Sequence, residues 1–395
     1  MALSEQLARA RDQASYSQDD VASVLGVSRA MISYWESGKR VPNDRQLLAL
    51  ARLFRVDAQQ LLSDEPIESE VDDGLILFRR EEEKVSSHAR KGLNEFIEFL
   101  DRYARLASVM GADVRGMKQS PFLLVSGYDS ADDVRRKAEE VRAHLRVGLG
   151  PVDMDSACEH LGVTVFHSPL GTDLRETISG AFLNHASIGF SILVNLETSP
   201  GRRRFTKAHE LAHALLHSSQ GNRYVISGPS RTPRERFADI FASEFLMPTE
   251  GIRRALEERG VGPRVNDPAD VIHLQRYFNV SYLMALFRLR QARLLSPTNF
   301  EEFRRIRPVV FARSLGYDVA DEEFGQDPSK WRLRRFPPRF LRLLRQALLE
   351  EQMSTSTAAE MASLSIDEVD ELITPESTDD AETEAELRDL TPAFS

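Results

Sequence analysis

Apolar positions recur at helical spacing along most of this chain and shorten to strand-like runs only in one central stretch. Leu3 to Arg11 reads as an amphipathic helix. Ser17-Gln18-Asp19-Asp20 reads as an N-cap and an acid-rich first turn, Val21, Val24 and Leu25 give the next helix its apolar face, and Gly26 ends it. Ser28 caps a third helix, Arg29 to Glu36, which Gly38 ends. Leu47, Leu48, Leu50, Ala51, Leu53 and Phe54 form a fourth, and Val56 with Leu61 and Leu62 closes a small core. Two short helices around a glycine-containing turn are the helix-turn-helix pattern.

The pattern then breaks. Ser63 to Glu70 and Asp72-Asp73-Gly74 are acidic and turn-rich, which predicts a linker. From about Glu81 to Met110 helical periodicity returns, with Leu93, Phe96, Ile97, Phe99, Leu100, Tyr103 and Leu106 apolar; this helix is expected to pack on the central unit or on a second copy of the chain. Ala131 to Leu145 and Ser156 to Leu161 read as helices, and Gly162 to Phe166 as a strand. Ser191 to Asn195 is a second short buried strand, followed by the turn Thr198-Ser199-Pro200-Gly201 and the basic run Arg202-Arg203-Arg204. Phe205, Ala208, Leu211, Ala212, Leu215 and Leu216 then form the apolar stripe of a helix. Another follows from Arg234 until Pro248, with Phe237, Ala238, Phe241, Ala242 and Phe245 on its apolar face, and Ser218 to Thr232 turns the chain between the two. Val271 to Tyr277 and Val280 to Leu295 read as a helix pair whose second member carries Arg288, Arg290 and Arg293, by default a basic solvated face, with DNA or partner contact as the alternative. Pro337-Pro338 opens a helix through Leu349, Ala358 to Leu372 reads as a helical hairpin, and Asp379 to Phe394 is too acidic and too poor in apolar residues to fold.

Chemistry concentrates on the central helix as His209-Glu210-Leu211-Ala212-His213. Histidines four apart share one helix face, so both imidazoles reach a single metal ion, and the intervening glutamate is placed to take a proton from a metal-bound water. The alternative is a buried helix with hydrogen-bonded histidines. Catalytic zinc takes three protein ligands, and Glu235 is the candidate third. Asp239, four residues on, suits acceptance of a ligand histidine's free ring N–H, unless the two acids merely form a solvated face. Glu244 is a weaker ligand candidate, and His217, repeating the spacing of four, is read as structural or as supporting a ligand.

These residues, with the strand Ile178 to Phe182, the strand ending at Asn195, the run Arg203-Arg204-Phe205-Thr206 and the helix from Glu235 to Pro248, resemble the ImmA/IrrE-type metallopeptidases from about Ala131 to Leu295. The resemblance implies that His209, His213 and Glu235 bind zinc and that Glu210 is the base. Members of that family are intracellular proteases that cleave particular repressor proteins and so switch genes on. Ala212 stands where the family often has glycine, and a small residue is kept. The segment Gln18 to Pro42 resembles the lambda-repressor-like (Xre) DNA-binding domains. On that reading Arg29 pairs with guanine, and Ser28, Ser33 and Tyr34 stand at the recognition helix. Gln18, Lys39 and Arg40 hold phosphates, and Ile32 and Trp35 are core. A protein-interaction domain on the same helical pattern is the alternative.

The expected fold is mainly α: an all-α helix-turn-helix domain (1–64), an acidic linker (65–84), a connecting helical segment (85–130), a small α+β metallopeptidase domain (131–260), a helix-turn-helix-like element (261–298), a C-terminal helical region (299–374) and a disordered acidic tail (375–395). The net charge of -10 argues against non-specific nucleic-acid binding by the whole molecule, so the DNA footprint is a local patch and a homodimer is expected for tight binding. One cysteine, Cys158, excludes a disulfide framework and zinc–thiolate clusters and suits a reducing cytoplasm. No secretory leader and no membrane span are read. The function expected is a regulator that binds a double-stranded DNA operator and, with zinc, hydrolyses a repressor- or antitoxin-type protein, the chain itself included. An extended substrate is expected to add to the edge of the strand ending at Asn195, and Tyr224 is a candidate donor to the reacting carbonyl. The alternatives are a sensor without turnover, or the regulatory half of a toxin–antitoxin or phage-immunity pair.

Overall fold

The computed structural model describes residues 3–13, 16, 18–54, 61–62, 86–114, 116–117, 120–122, 130–172, 178–217, 224–227, 232–319 and 332–373. The expected linker at 63–74, the acidic tail from Asp379 and the side chain of Tyr224 lie outside what it describes.

The N-terminal unit is all helical: α1 (Leu3–Gln13), α2 (Gln18–Leu25), α3 (Arg29–Glu36) and α4 (Asp44–Phe54). Leu7, Ala10, Val21, Ile32, Trp35, Leu47, Leu50 and Phe54 close its core, so Ile32 and Trp35 point inward, as the spacing requires. Gly26 and Gly38 end their helices with positive φ, the conformation that costs glycine least.

After α5 (Ser87–Val109), α6 (Ala131–Leu145) and α7 (Met154–His160), the chain builds a four-stranded sheet of β1 (Thr164–Ser168), β2 (Gly180–His185), β3 (Gly189–Asn195) and β4 (Tyr224–Ser227), in the order β1-β3-β2-β4. β3 runs parallel to β1 and antiparallel to β2, and β4 pairs antiparallel with β2. Strand periodicity sends alternate side chains to opposite faces. Phe166, Ala181, Leu183 and Leu193 meet α5 and the C-terminal helices α15 (Pro338–Leu349), α16 (Thr355–Ala362) and α17 (Ile366–Ile373). Val165, Phe182, Ile192 and Val194 meet the opposite layer. There lie α8 (Pro200–Ala212), α9 (Pro233–Leu246), α10 (Thr249–Glu258), α11 (Pro268–Tyr277), α12 (Tyr282–Gln291), α13 (Pro297–Phe303) and α14 (Pro308–Ser314). The sheet is therefore the middle of a helix–sheet–helix sandwich, and α5 packs on it through Phe96, Phe99 and Tyr103. No helix among the described residues is long and apolar enough to cross a membrane.

Two expectations are corrected. β3 is a central strand, paired on both sides, so the strand ending at Asn195 has no free edge to offer a substrate; the outer strands are β1 and β4. Arg288 is not part of a solvated face. It is 2 % exposed and reaches Glu244 at 2.7 Å, and Arg290 covers the Phe300 ring at 4.7 Å.

Candidate metal centre and nucleic-acid interface

α8 starts at Ser199 with Pro200 in its first turn, where a missing N–H costs nothing. The helix runs beneath the sheet, and its last turns are buried on every side from Thr206 onward. After Ala212 the backbone widens into a single π-helical turn, His213–His217. Such turns concentrate at functional sites, and the sequence pattern, an uninterrupted stripe, carries no sign of it. α9 lies alongside, with Thr232 capping its first turn by accepting the Glu235 N–H at 3.3 Å.

The two helices bring His209, His213 and Glu235 together, with one donor atom of each lying within 4.8 Å of the others. His209 Nε2 stands 3.1 Å from Glu235 Oε2, His213 Nε2 stands 3.3 Å from Glu235 Oε1, and the two ring nitrogens are 3.2 Å apart. His209 Nδ1 faces Asp239 Oδ1 at 2.9 Å, the partner expected for it. A carboxylate only accepts, so Nδ1 carries a proton toward Asp239, and it is Nε2, facing Glu235, that would give up its proton to a cation. Glu244 does not join. Its carboxylate holds Arg288 and takes the Thr249 N–H at 2.8 Å.

Burial pulls His209 down, but the hydrogen bonds to Asp239 and Glu235 outweigh it and carry the imidazole up to about 10. Burial raises Glu235, and His209 and His213 reverse that, bringing the carboxyl to about 2. Burial pushes His213 down, as does the neighbouring His209. Two imidazole nitrogens and a carboxylate, nearly dry and oriented from behind, form a donor set that fits a divalent cation taking nitrogen and oxygen ligands, zinc foremost.

Glu210 is fully buried. A Cβ on Gly180 would come within 3.1 Å of Glu210 Oε1 and 2.6 Å of the Leu193 carbonyl, so only glycine lets the start of β2 lie this close. A glycine inside a predicted strand was the sequence signal for that approach. α9 is anchored at its other end by two buried guanidinium groups. Arg142 reaches the carbonyls of Phe245, Gly148 and Gly150, and Arg288 takes that of Met247 at 2.7 Å. These satisfy C-terminal carbonyls that the helix leaves open, and they hold fixed the element carrying Glu235 and Asp239.

In the N-terminal unit, α3 presents Arg29, Ser33 and Tyr34. Arg29 is exposed, 3.6 Å from Asp19, and Tyr34 is 40 % exposed with the Lys39 ammonium 5.9 Å from its ring centroid. Ser28 stands at the N-cap, but its hydroxyl makes no capping bond. Arg40 is exposed on the following turn. Gln18 is engaged differently from expectation: its amide donates to Glu36 Oε2 at 2.8 Å, and Arg11 pairs with the same carboxylate at 2.5 Å. That network locks α1, α2 and α3 together and fixes Gln18 at the N-terminus of α2.

Residues 158–290 match the IrrE N-terminal-like domain family, and residues 7–61 match the helix-turn-helix family. Over 67 residues the chain is 39 % identical to the HTH-type transcriptional activator BcrR of Enterococcus faecalis, covering 17 % of this chain and 33 % of that protein. The chain thus spans about a third of the length of this curated relative. A Mycobacterium tuberculosis transcriptional regulator of solved structure aligns over 48 % of this chain and 51 % of its own, at 18 % identity and a TM-score of 0.27. The chain is a fusion of an Xre-like helix-turn-helix domain, residues 7–61, with an ImmA/IrrE-like domain of the peptidase family, residues 158–290.

Proposed function

We propose that this protein is a DNA-binding transcriptional regulator whose ImmA/IrrE-like domain is a zinc-dependent endopeptidase acting, in the cytoplasm, on a repressor-type protein. The observation that carries the reading is the convergence of His209, His213 and Glu235 beside the buried carboxylate of Glu210. Zinc bound by these three residues would polarise the scissile carbonyl and make a water acidic near neutral pH. Glu210 takes the proton from the attacking water and returns it to the leaving amine. Burial shields that carboxylate from bulk solvent, and the absence of a side chain at Gly180 leaves room for it. Asp239 holds the His209 ring at the angle ligation needs. β4, an outer strand paired to β2 opposite Gly180, supplies the edge along which an extended substrate adds.

At the N-terminal domain, Arg29, Ser33 and Tyr34 read base edges, and Ser28, Lys39 and Arg40 hold the backbone of a double-stranded operator, with a homodimer supplying two half-sites. The test is stoichiometric zinc in the purified chain, together with cleavage of co-encoded repressors. Glu210→Gln should keep the zinc and lower the cleavage rate by at least about a hundredfold. A zinc-free chain, or a Glu210→Gln variant as active as the parent, refutes the peptidase assignment.

A further inference from the structure

The two imidazoles of the cluster are held from behind by partners of different chemistry. His209 Nδ1 meets a carboxylate, which only accepts and so permits one tautomer. His213 Nδ1 meets His217 Nδ1 at 3.1 Å, and an imidazole nitrogen either donates or accepts. If His217 donates, the His213 proton sits on Nε2, 3.3 Å from Glu235 Oε1, and that nitrogen has no lone pair for a cation. If His217 accepts, the proton sits on Nδ1 and Nε2 is free to ligate.

His217 is 3 % exposed, and its ring lies 5.2 Å from that of His213, tilted 48°. It occupies the last position of the π turn, on the side of His213 away from Glu235, and is not among the converging donors. We infer that His217 is a positioning residue. By accepting the His213 Nδ1–H it holds the ring and leaves Nε2, on the side of Glu235, free to ligate. This inference rests on the metal-centre reading above.

The experiment uses the full-length chain stripped of metal and reloaded with cobalt(II), with affinity read by chelator competition and geometry by the visible absorption of the ion. His217→Phe, which keeps ring volume without a nitrogen, should bind cobalt about 10–100-fold more weakly, and His217→Gln, which keeps an acceptor, should stay within about threefold of the parent with its absorption pattern unchanged. Independently of any variant, nitrogen NMR of the histidine-labelled, zinc-loaded parent should show His217 with its proton on Nε2. A His217→Phe variant that binds as tightly as the parent, equal weakening by Phe and Gln, or His217 protonated on Nδ1 in the loaded chain overturns the inference alone. A parent that takes up no cation overturns the metal centre and the inference with it.

Discussion

Arg288 shows what a single buried charge does in this molecule. Its guanidinium and the Glu244 carboxylate, each side chain 3 % exposed, meet at 2.7 Å and also bind the Met247 carbonyl and Thr249. Burial pulls the arginine down while Glu244 holds it up. Removing one partner leaves the other ionised and dry, so Arg288→Met should cost about 3–5 kcal/mol in urea unfolding, and adding Glu244→Leu should recover most of it. His167, on β1, is the opposite case, a buried group kept uncharged. Burial and the nearby Lys207 hold it well below the usual histidine range, so it stays neutral in the folded chain. The unfolded chain binds that proton below about pH 6.5, so the stability this residue supports is complete above that pH and falls by up to about 1.4 kcal/mol per unit below it. Urea midpoints at pH 7 and pH 5 should therefore differ less for His167→Leu than for the parent.

Among the elements, α3 was legible almost to the residue. Ser28 before it, Gly38 after it and inward spacing at Ile32 and Trp35 are local signals, and local signals survive folding. Its proposed DNA contacts separate by kind. Arg29→Ala should cost about 1–3 kcal/mol and relax preference at one base pair, while Lys39→Ala should weaken all sequences alike and reduce the salt slope by about one, both read by binding titrations at several salt concentrations. α8 was legible from Phe205 to Ala212, but its first residues, Pro200 to Arg204, read as a turn and a basic run, and the π turn beyond Ala212 was not legible, because the same apolar stripe satisfies either helix geometry. β1 and β3 were found by their apolar runs and β2 was named with the family resemblance, but β4 lies within Ser218 to Thr232, which reads as a turn, and the strand ending at Asn195 was wrongly given a free edge. β3 is buried at every residue, which marks a central strand, and edge and centre differ only in what lies alongside.

For the whole molecule, the described residues form one core in the helix-turn-helix domain, and the sheet carries a core on each face. Heating should therefore give two separable transitions. If zinc is bound as proposed, a chelator should lower only the transition of the sheet-containing unit, by about 2.7 kcal/mol relative to a chain held at a hundred times the dissociation constant in zinc. Calorimetry with and without chelator checks this, and a shift in both transitions would contradict it.

The sequence by itself determined most of the helical elements, the histidine spacing on α8 and the pairing of chemistry with a helix-turn-helix head. Each of these is written in residues a few positions apart, where one helical turn sets the geometry. Only the tertiary structure decided that Glu235 and Asp239 close on His209 while Glu244 turns to Arg288, that α5 and the C-terminal helices cover one sheet face, and that β4 lies at an edge. Those choices depend on which surfaces meet after distant segments pack, and no periodicity along the chain encodes the neighbour across a helix pair or a strand ladder.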